Sequence, residues 1–172
     1  MYKRQALSPK ENAKIINVNL TGTFHLVSAI MPVFKKNGGG QLALCASVAG
    51  YSGLPAGQPY CATKAGMINL AESLRAEHDG TGVDIKLICP GFVKTDLTDG
   101  NDFPMPMIIE AADAGRYIAD GLAKKRFEIH FPKRFTLILK LLRILPYCLY
   151  IPIAKRITPK DKKKRYDRRF SK

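Results

Sequence analysis

Apolar and polar residues near the start of the chain follow the spacing of an amphipathic helix. Ser8-Pro9-Lys10-Glu11 has the order of a helix start, with a capping serine, a proline in the first turn and a glutamate three residues after the cap. From Ile15 to Phe34 the apolar residues recur at helical intervals, and the glycines that follow Asn37 end the pattern. The pattern therefore predicts one long helix over about residues 9–36.

Short apolar runs bounded by turn residues predict three buried strands. They cover residues 41–46, 83–89 and 127–131. Helical spacing predicts two further helices between them, and a polar, proline-rich segment precedes the second of these; the helices cover about 59–78 and 109–123, and the segment covers 95–106. Alternation of strands with helices is typical of a parallel sheet covered by helices, so we predict an α/β fold.

Charge is distributed unevenly along the chain. The net charge is +14, yet residues 1–132 hold 14 Lys and Arg against 12 Asp and Glu, whereas residues 133–172 hold 14 against 2. The nearly neutral part also contains all the predicted strands. We therefore divide the chain into an α/β domain over residues 1–132 and an apolar, basic C-terminal extension over residues 133–172.

The extension combines an apolar segment with a basic tail. Leu137–Ile153 spans 17 residues that include two charges and two prolines, which is too short and too charged for a transmembrane helix. On a helical wheel Lys133, Lys140 and Arg143 fall within a sector of about 80°. Lys155–Lys172 then carries ten basic residues against two acidic ones. This composition predicts an interfacial helix on an anionic membrane surface, with a purely solvated tail as the alternative.

Nucleic-acid binding is disfavoured as an explanation of the charge. The tail has no aromatic stacking pattern beyond Tyr166 and Phe170, and the nearly neutral domain offers no basic groove.

We also predict no metal site, because Asp96, Asp99 and Asp102 are separated by residues that give no cage of ligands.

Cysteine usage and the first residues of the chain indicate a cytoplasmic location. The four cysteines show no CxxC pair, and three of them lie in or beside apolar runs, which predicts small buried thiols in a reducing compartment. Residues 1–14 are polar and charged and lack the apolar stretch of a secretory signal. The three histidines are scattered, so we expect structural or surface roles for them.

Tyr60 and Lys64 form the candidate chemical centre. Residues four apart on a helix lie on the same face, so the Lys64 ammonium can favour the phenolate form of Tyr60. Ser47 follows a predicted strand and can hold a carbonyl oxygen to which the tyrosine passes a proton. This arrangement predicts proton transfer on and off a carbonyl oxygen. Ser47 also has a structural alternative, as a cap at the strand end.

Four blocks in this order carry a resemblance to a known family. They are Asn17-Val-Asn19-Leu-Thr-Gly22, Cys45-Ala-Ser47-Val-Ala-Gly50, Tyr60-Cys-Ala-Thr-Lys64 and Pro90-Gly91-Phe-Val-Lys-Thr95. Together they resemble the short-chain dehydrogenase/reductase family, over about residues 7–132. The resemblance implies a Rossmann-type parallel sheet, of which this chain matches the C-terminal two-thirds. It also implies hydride exchange between NAD or NADP and a carbonyl or alcohol substrate.

The resemblance implies a role for each catalytic residue. Tyr60 is the general acid and base, and Lys64 lowers the pKa of Tyr60 and binds the nicotinamide ribose. Ser47 polarises the substrate carbonyl. The pattern Val-Asn-Leu-x-Gly selects Asn19 rather than Asn17 as the residue that interrupts its helix and holds a water linking Lys64 to solvent.

The resemblance further implies which residues lie against the cofactor. Besides Tyr60 and Lys64, these are Pro90, Gly91, Val93 and Thr95, which would contact the nicotinamide carboxamide and the pyrophosphate. Thr95 has the alternative of capping the turn that follows it. Cys45 and Cys61 flank the site, and we expect them only to pack.

The chain departs from the family pattern in one large respect. The TGxxxGxG turn that receives the pyrophosphate, the selector for NAD or NADP, and the Asn-Asn-Ala-Gly strand are not in the sequence. We therefore expect very weak cofactor affinity for the 172-residue chain and uncovered apolar surface. The alternative function is a truncated, inactive fragment that acts by association or membrane binding. The resemblance implies a homo-oligomer paired through helices 9–36 and 59–78.

Overall fold

The computed structural model describes residues 8–55, 57–99 and 104–157. Its helices are α1 Pro9–Ile16, α2 Gly22–Lys36, α3 Tyr60–Glu77, α4 Asp96–Asp99, α5 Ala111–Leu122, α6 Lys133–Arg143 and α7 Tyr147–Ile157. Its strands are β1 Gly40–Cys45, β2 Val83–Pro90, β3 Val93–Lys94, β4 Ile109–Glu110 and β5 Glu128–Phe131. Asp102 and the basic tail from residue 158 onward lie outside the described residues.

A three-stranded parallel sheet, with strand order β1-β2-β5, forms the centre of the molecule. The predicted α/β fold with a parallel sheet is therefore confirmed. β3 and β4 form a separate two-stranded parallel pair. The predicted helix over residues 109–123 begins two residues late, because Ile109–Glu110 pairs with Val93–Lys94 before the chain turns into α5.

Helices cover both faces of the central strand β2. Ile85 and Leu87 contribute to the cluster that packs against α3, which includes Ile68. Ile88, the alternate residue on β2, packs instead with Ala114 of α5. β1 stands at the edge of the described sheet, and one of its faces is exposed through Gln41, Ala43 and Cys45.

The predicted long helix forms as two α-helices joined by a π-helical turn, Asn17–Thr21. At its start the Ser8 hydroxyl oxygen accepts a hydrogen bond from the Glu11 backbone N–H at 3.2 Å. Val18, Leu26 and Phe24 are exposed. Within the described residues, Pro9–Lys36 is the one helical segment whose length and apolar composition would suffice to cross a membrane.

The C-terminal helices pack against the rest of the chain. Thr136 of α6 and Ala154 of α7 are buried, and the Tyr150 hydroxyl donates a hydrogen bond to the Gly53 carbonyl oxygen at 2.6 Å. Of the three basic residues that the helical wheel groups together, Lys140 faces inward and pairs with Glu128 of β5, whereas Lys133 and Arg143 are exposed.

Glu128 of β5 accepts two hydrogen bonds, one from α6 and one from the turn that follows β1. The Lys140 ammonium donates to its Oε2 atom, and the Tyr51 hydroxyl donates to its Oε1 atom at 2.5 Å. Burial raises the pKa of Tyr51 far above its usual range, so this hydroxyl stays protonated and donates. Burial alone would raise the pKa of Glu128 as well, but the bonds from Lys140 and Tyr51 outweigh it and hold the pKa below the ordinary 4.5.

Glu128→Gln is expected to lower the free energy of unfolding at pH 7 by about 1–3 kcal/mol, because it leaves a partly buried ammonium without its charged partner. Since the folded-state pKa of Glu128 is depressed, the pair stabilises the fold above pH 4.5 and loses that effect as the pH falls. The difference between variant and parent should therefore shrink on acidification. Urea unfolding at neutral and acidic pH measures it.

Glu110→Gln is the matched control for that experiment. Glu110 pairs with Lys94 at 3.2 Å, but the two side chains are 64% and 62% exposed. Its loss is expected to cost about 0.5 kcal/mol or less. Equal destabilisation by both variants, or a pH-independent effect of Glu128→Gln, would contradict the anchoring role of Glu128.

Candidate active site

The candidate residues gather at one edge of the sheet. Ser47 follows β1 by two residues, Pro90 ends β2, and Pro132 follows β5. Because the three strands are parallel, their carboxyl ends meet at the same edge. Ligands of open α/β sheets bind outside this edge, so the fold places the candidate residues where a ligand is expected.

Ser47 combines a structural contact with an available hydroxyl. Its Oγ accepts a hydrogen bond from the Ala49 backbone N–H at 3.2 Å, which caps the 3₁₀ turn Val48–Gly50. The same hydroxyl donates to the Pro90 carbonyl oxygen at 3.4 Å, near the limit of a hydrogen bond. The capping alternative is thus present in the structure. The hydroxyl accepts the capping bond through an oxygen lone pair and donates through its hydrogen. The O–H can therefore turn from the Pro90 carbonyl to a ligand while the cap is kept.

Tyr60 and Lys64 occupy the first turn and a half of α3. The Lys64 Nζ atom lies 5.7 Å from the centroid of the Tyr60 ring and donates to the Cys45 carbonyl oxygen at 2.8 Å. That bond ties the lysine to the carboxyl end of β1, beside Ser47. Burial lowers the pKa of Lys64. A partly buried cation beside a tyrosine ring stabilises the phenolate form more strongly than a cation in water does.

Asn19 lies inside the π-helical turn and faces the start of α3. Its Nδ2 atom donates to the Thr63 hydroxyl at 3.5 Å, and that hydroxyl donates to the Tyr60 carbonyl oxygen at 2.8 Å. Thr63 is buried and lies next to Lys64 in sequence. The contact brings Asn19 to the same turn of α3 as the two candidate catalytic residues. The water relay through Asn19 stays a prediction.

Gly50 controls how closely the Ser47 turn approaches α3. A Cβ atom at this position would lie 2.7 Å from both the carbonyl carbon and the carbonyl oxygen of Lys64. These are backbone atoms that cannot rotate aside, so only glycine fits without moving one segment. The motif Ser47-Val-Ala-Gly50 contained this residue, but its spacing gave no sign that the partner would be the Lys64 backbone.

The predicted cofactor-contacting segment is held by a residue that sequence reasoning missed. The Thr98 hydroxyl, which is buried, accepts from the Thr95 N–H at 2.9 Å and lies 2.8 Å from the Val93 carbonyl oxygen. The Thr95 side chain is exposed, so Thr98 rather than Thr95 fastens the turn. A threonine three residues after another in a turn segment is the one sequence signal for this contact.

Gly91 brings the end of β2 against β5. Its N–H donates to the Phe131 carbonyl oxygen at 2.7 Å, and an added Cβ would meet Phe135 at 3.0 Å and Pro132 at 3.1 Å.

Taken together, these contacts bring five of the candidate residues into one region, namely Ser47, Tyr60, Lys64, Asn19 and Pro90. Val93 and Thr95 stand further along, on β3 and in the turn after it.

Two of the four thiols are buried, not three. Cys61 and Cys89 are buried, whereas Cys45 and Cys148 are exposed. Burial raises the pKa of Cys61, and it raises that of Cys89 to about 12, so both stay protonated at neutral pH. Cys45 contributes to the site through its carbonyl oxygen.

A cavity of about 450 Å³ opens beside the carboxyl end of β5. Its walls are mostly apolar, with two basic residues among them; it is lined by Met107, Ile108, Ile109, Tyr117, His130, Phe131, Pro132, Lys133 and Arg134. Within the described part of the chain, no group of three or more His, Cys, Asp or Glu side chains is arranged to hold a metal ion.

Comparison with known proteins gives consistent matches. The family model described as short chain dehydrogenase matches residues 2–103. An uncharacterised oxidoreductase of Myxococcus xanthus is 36% identical over 143 residues, which cover 83% of this chain and 56% of the relative. Human 17-beta-hydroxysteroid dehydrogenase 13 is 28% identical over 151 residues, which cover 85% of this chain and 50% of that protein.

A solved structure supports the fold assignment. A short chain dehydrogenase from Burkholderia cenocepacia, in complex with NADP, superposes with a TM-score of 0.74 at 22% identity. The match covers 90% of this chain and 64% of that one. The chain thus spans about half the length of the curated relatives that it matches.

Proposed function

Because this chain belongs to the short-chain dehydrogenase family, we propose that it supplies the proton-transfer part of an NAD(P)-dependent carbonyl–alcohol oxidoreductase. One observation carries the proposal. The Lys64 ammonium lies 5.7 Å from the Tyr60 ring and is tied by a 2.8 Å hydrogen bond to the strand end that precedes Ser47. A phenol, a cation and a hydroxyl donor thereby share the edge of the sheet where ligands bind.

Each residue has a distinct task in the proposed reaction. In reduction, the Tyr60 hydroxyl gives its proton to the carbonyl oxygen, and in oxidation the phenolate takes it back. The Ser47 hydroxyl donates a hydrogen bond to the same oxygen and stabilises its developing charge. Lys64 lowers the free energy of the phenolate, and Asn19 connects this region to solvent for proton exchange. Positioned acid–base catalysis of this type contributes about 10²–10⁴ in rate.

The residues present fit one end of a nicotinamide cofactor. Tyr60 and Lys64 would bind its ribose, and Pro90, Gly91, Val93 and Thr95 would contact the carboxamide and pyrophosphate. The nicotinamide supplies or accepts the hydride when bound. A glycine-rich phosphate cradle is not in the sequence, so the strongest anion-binding contribution is not encoded in these residues. The proposal covers NAD and NADP alike.

Measuring cofactor affinity tests whether binding is limited by the phosphate cradle, which is not in the sequence. Titration of NADH or NADPH into the 172-residue chain, followed by nicotinamide fluorescence, is expected to show no saturation up to about 0.1 mM, because the phosphate cradle is lacking. A chimera with a family-type strand–TGxxxGxG–helix segment before residue 1 is expected to bind in the micromolar range and to reduce a panel of lipophilic ketones. Micromolar binding by the chain alone would contradict the weak-affinity prediction. A binding-competent but inactive chimera would contradict the proposed chemistry.

Homo-oligomerisation through residues 9–36 and 59–78 stays a prediction. The exposed apolar side chains Val18, Phe24 and Leu26 on the first of these segments support it. The substrate class remains a small carbonyl or alcohol compound.

A further inference from the structure

α6 has its polarity reversed relative to an ordinary surface helix. Its side chains Thr136 and Lys140 face the protein, where Thr136 is buried and Lys140 is paired with Glu128. The outward side carries Leu137, Ile138 and Leu141, which are 57%, 52% and 61% exposed. Residues at these spacings lie on one helix face. A helix that hides its charge and exposes leucine and isoleucine presents an apolar surface of the kind that marks an interaction site.

The apolar surface continues beyond α6. Ile144 is 76% exposed at the end of α6, and Tyr147, Leu149 and Ile151 of α7 are 82%, 54% and 44% exposed. Tyr150 and Ala154 of α7 are buried, so the helix is held against the protein through these two side chains. We call the seven exposed side chains the α6–α7 face; they are Leu137, Ile138, Leu141, Ile144, Tyr147, Leu149 and Ile151.

Basic residues surround this face. Arg134, Arg143, Lys155 and Arg156 are exposed on the same two helices. The sequence from residue 158 to 172 adds eight Lys and Arg against two Asp. An apolar surface bordered by cations is complementary to a membrane with anionic headgroups. It is less suited to a second copy of itself, because the two sets of cations would face each other.

We propose that the α6–α7 face binds the surface of an anionic membrane. α6 and α7 each contain 11 residues, and a helix of that length extends about 16 Å, which is too short to cross a hydrocarbon core of about 30 Å. The two helices therefore lie along the interface, with the apolar side chains below the headgroups and the basic residues among them. Leu139, Leu142 and Tyr150 line a small cavity together with Tyr51, Ser52 and Leu54, and the Tyr150 hydroxyl donates a hydrogen bond to the Gly53 carbonyl oxygen. The segment joining Ser47 to Tyr60 therefore lies directly behind the two helices.

Vesicle co-sedimentation of the 172-residue chain tests the proposal. The chain is expected to bind vesicles of phosphatidylcholine with about 30% phosphatidylserine at least tenfold more tightly than vesicles of phosphatidylcholine alone. The triple variant Leu137→Gln, Leu141→Gln, Ile144→Gln should lose at least about tenfold in affinity for the anionic vesicles, because it removes exposed apolar groups only. Circular dichroism checks that this variant folds.

A matched variant distinguishes a specific effect of the α6–α7 face on vesicle binding from a general effect of exposed apolar residues. Val18→Gln, Phe24→Gln, Leu26→Gln makes the same chemical change on the exposed part of the 9–36 segment and should keep full vesicle binding. Absence of binding by the parent chain, or equal binding by the parent and the α6–α7 triple variant, would overturn the proposal. A dimer of the parent chain that dissociates in the α6–α7 triple variant, measured by light scattering without lipid, would also overturn the proposal. The face would then be a contact between two copies of the chain.

A fluorescence measurement gives the result independently of sedimentation. The chain contains no tryptophan, so Leu141→Trp introduces a single reporter at the centre of the face. Anionic vesicles should shift its emission to shorter wavelength, and lipids brominated on their acyl chains should quench it. Unquenched emission in the presence of bound vesicles would place the face away from the membrane and overturn the proposal. None of these readouts depends on enzymatic activity.

Discussion

Tyr60→Phe is expected to lower kcat for carbonyl reduction by about 10²–10⁴ in the chimera that carries the phosphate-binding segment. The phenyl ring fills the same space, so we expect α3 and the proposed cofactor contacts of Lys64 to be kept. The substitution removes the hydroxyl that gives the proton, and among the residues that the structure describes no second tyrosine ring is in cation–π contact with Lys64. Steady-state rates and NADPH titration together measure the effect. We expect the rate to fall while the Kd for NADPH changes by less than about threefold.

The control for Tyr60→Phe is Tyr147→Phe, assayed without lipid. Tyr147 is 82% exposed on α7, and the substitution removes the same hydroxyl from a side chain outside the site. It should leave kcat unchanged. Near-normal turnover by Tyr60→Phe would remove Tyr60 from the mechanism. A parallel loss of NADPH affinity of more than about threefold would instead show that the Tyr60 hydroxyl contributes substantially to cofactor binding.

Gly50→Ala is expected to lower the free energy of unfolding by about 1–3 kcal/mol, the usual cost of forcing an extra carbon into a packed region. The new Cβ would lie 2.7 Å from two backbone atoms of Lys64, so the Ser47 turn and α3 must move apart. Separation of the hydroxyl from the Tyr60–Lys64 pair should also lower kcat in the chimera, by about 10–100-fold for a displacement near 1 Å. Urea unfolding and steady-state kinetics measure the two effects.

Gly53→Ala is the matched control, because an added Cβ at Gly53 would meet no atom within 4 Å and its backbone φ is not in the left-handed region. It should change stability by only a few tenths of a kcal/mol and leave kcat intact. If Gly50→Ala behaved like Gly53→Ala, the close approach of the Ser47 turn to Lys64 would not govern the site.

Much of the fold could be predicted from the sequence, because element type is a local property. The capping order at Ser8, the helical spacing up to Phe34 and the apolar runs at residues 41–46 and 83–89 each reflect burial of one face of a short segment. The predicted element was wrong where a backbone pairing between residues distant in sequence determined the structure. Ile109 joined a strand instead of the helix that follows it, because Val93 supplied a backbone partner.

The candidate site likewise contains residues that the sequence pointed to and residues that it did not. Four spaced motifs in the sequence identified Ser47, Tyr60, Lys64 and Asn19, and these motifs are short because each functional group sits on one turn. Thr98 and Gly50 were not identified, since their roles depend on atoms distant in sequence or on the exact path of the backbone. A glycine looks the same in sequence whether or not another backbone passes 2.7 Å from the place that a Cβ atom would occupy.

The sequence by itself determined the element types, the parallel α/β class and the family motifs, because periodicity and spacing report on local burial and local chemistry. Only the tertiary structure decided the direction in which α6 faces. A helical wheel groups Lys140 with the basic residues, and in the structure this side of α6 faces inward, where Lys140 pairs with Glu128 of the preceding strand and Leu137 and Leu141 are left outside. The orientation of an amphipathic helix depends on the partner against which it packs, and that partner is set by the fold.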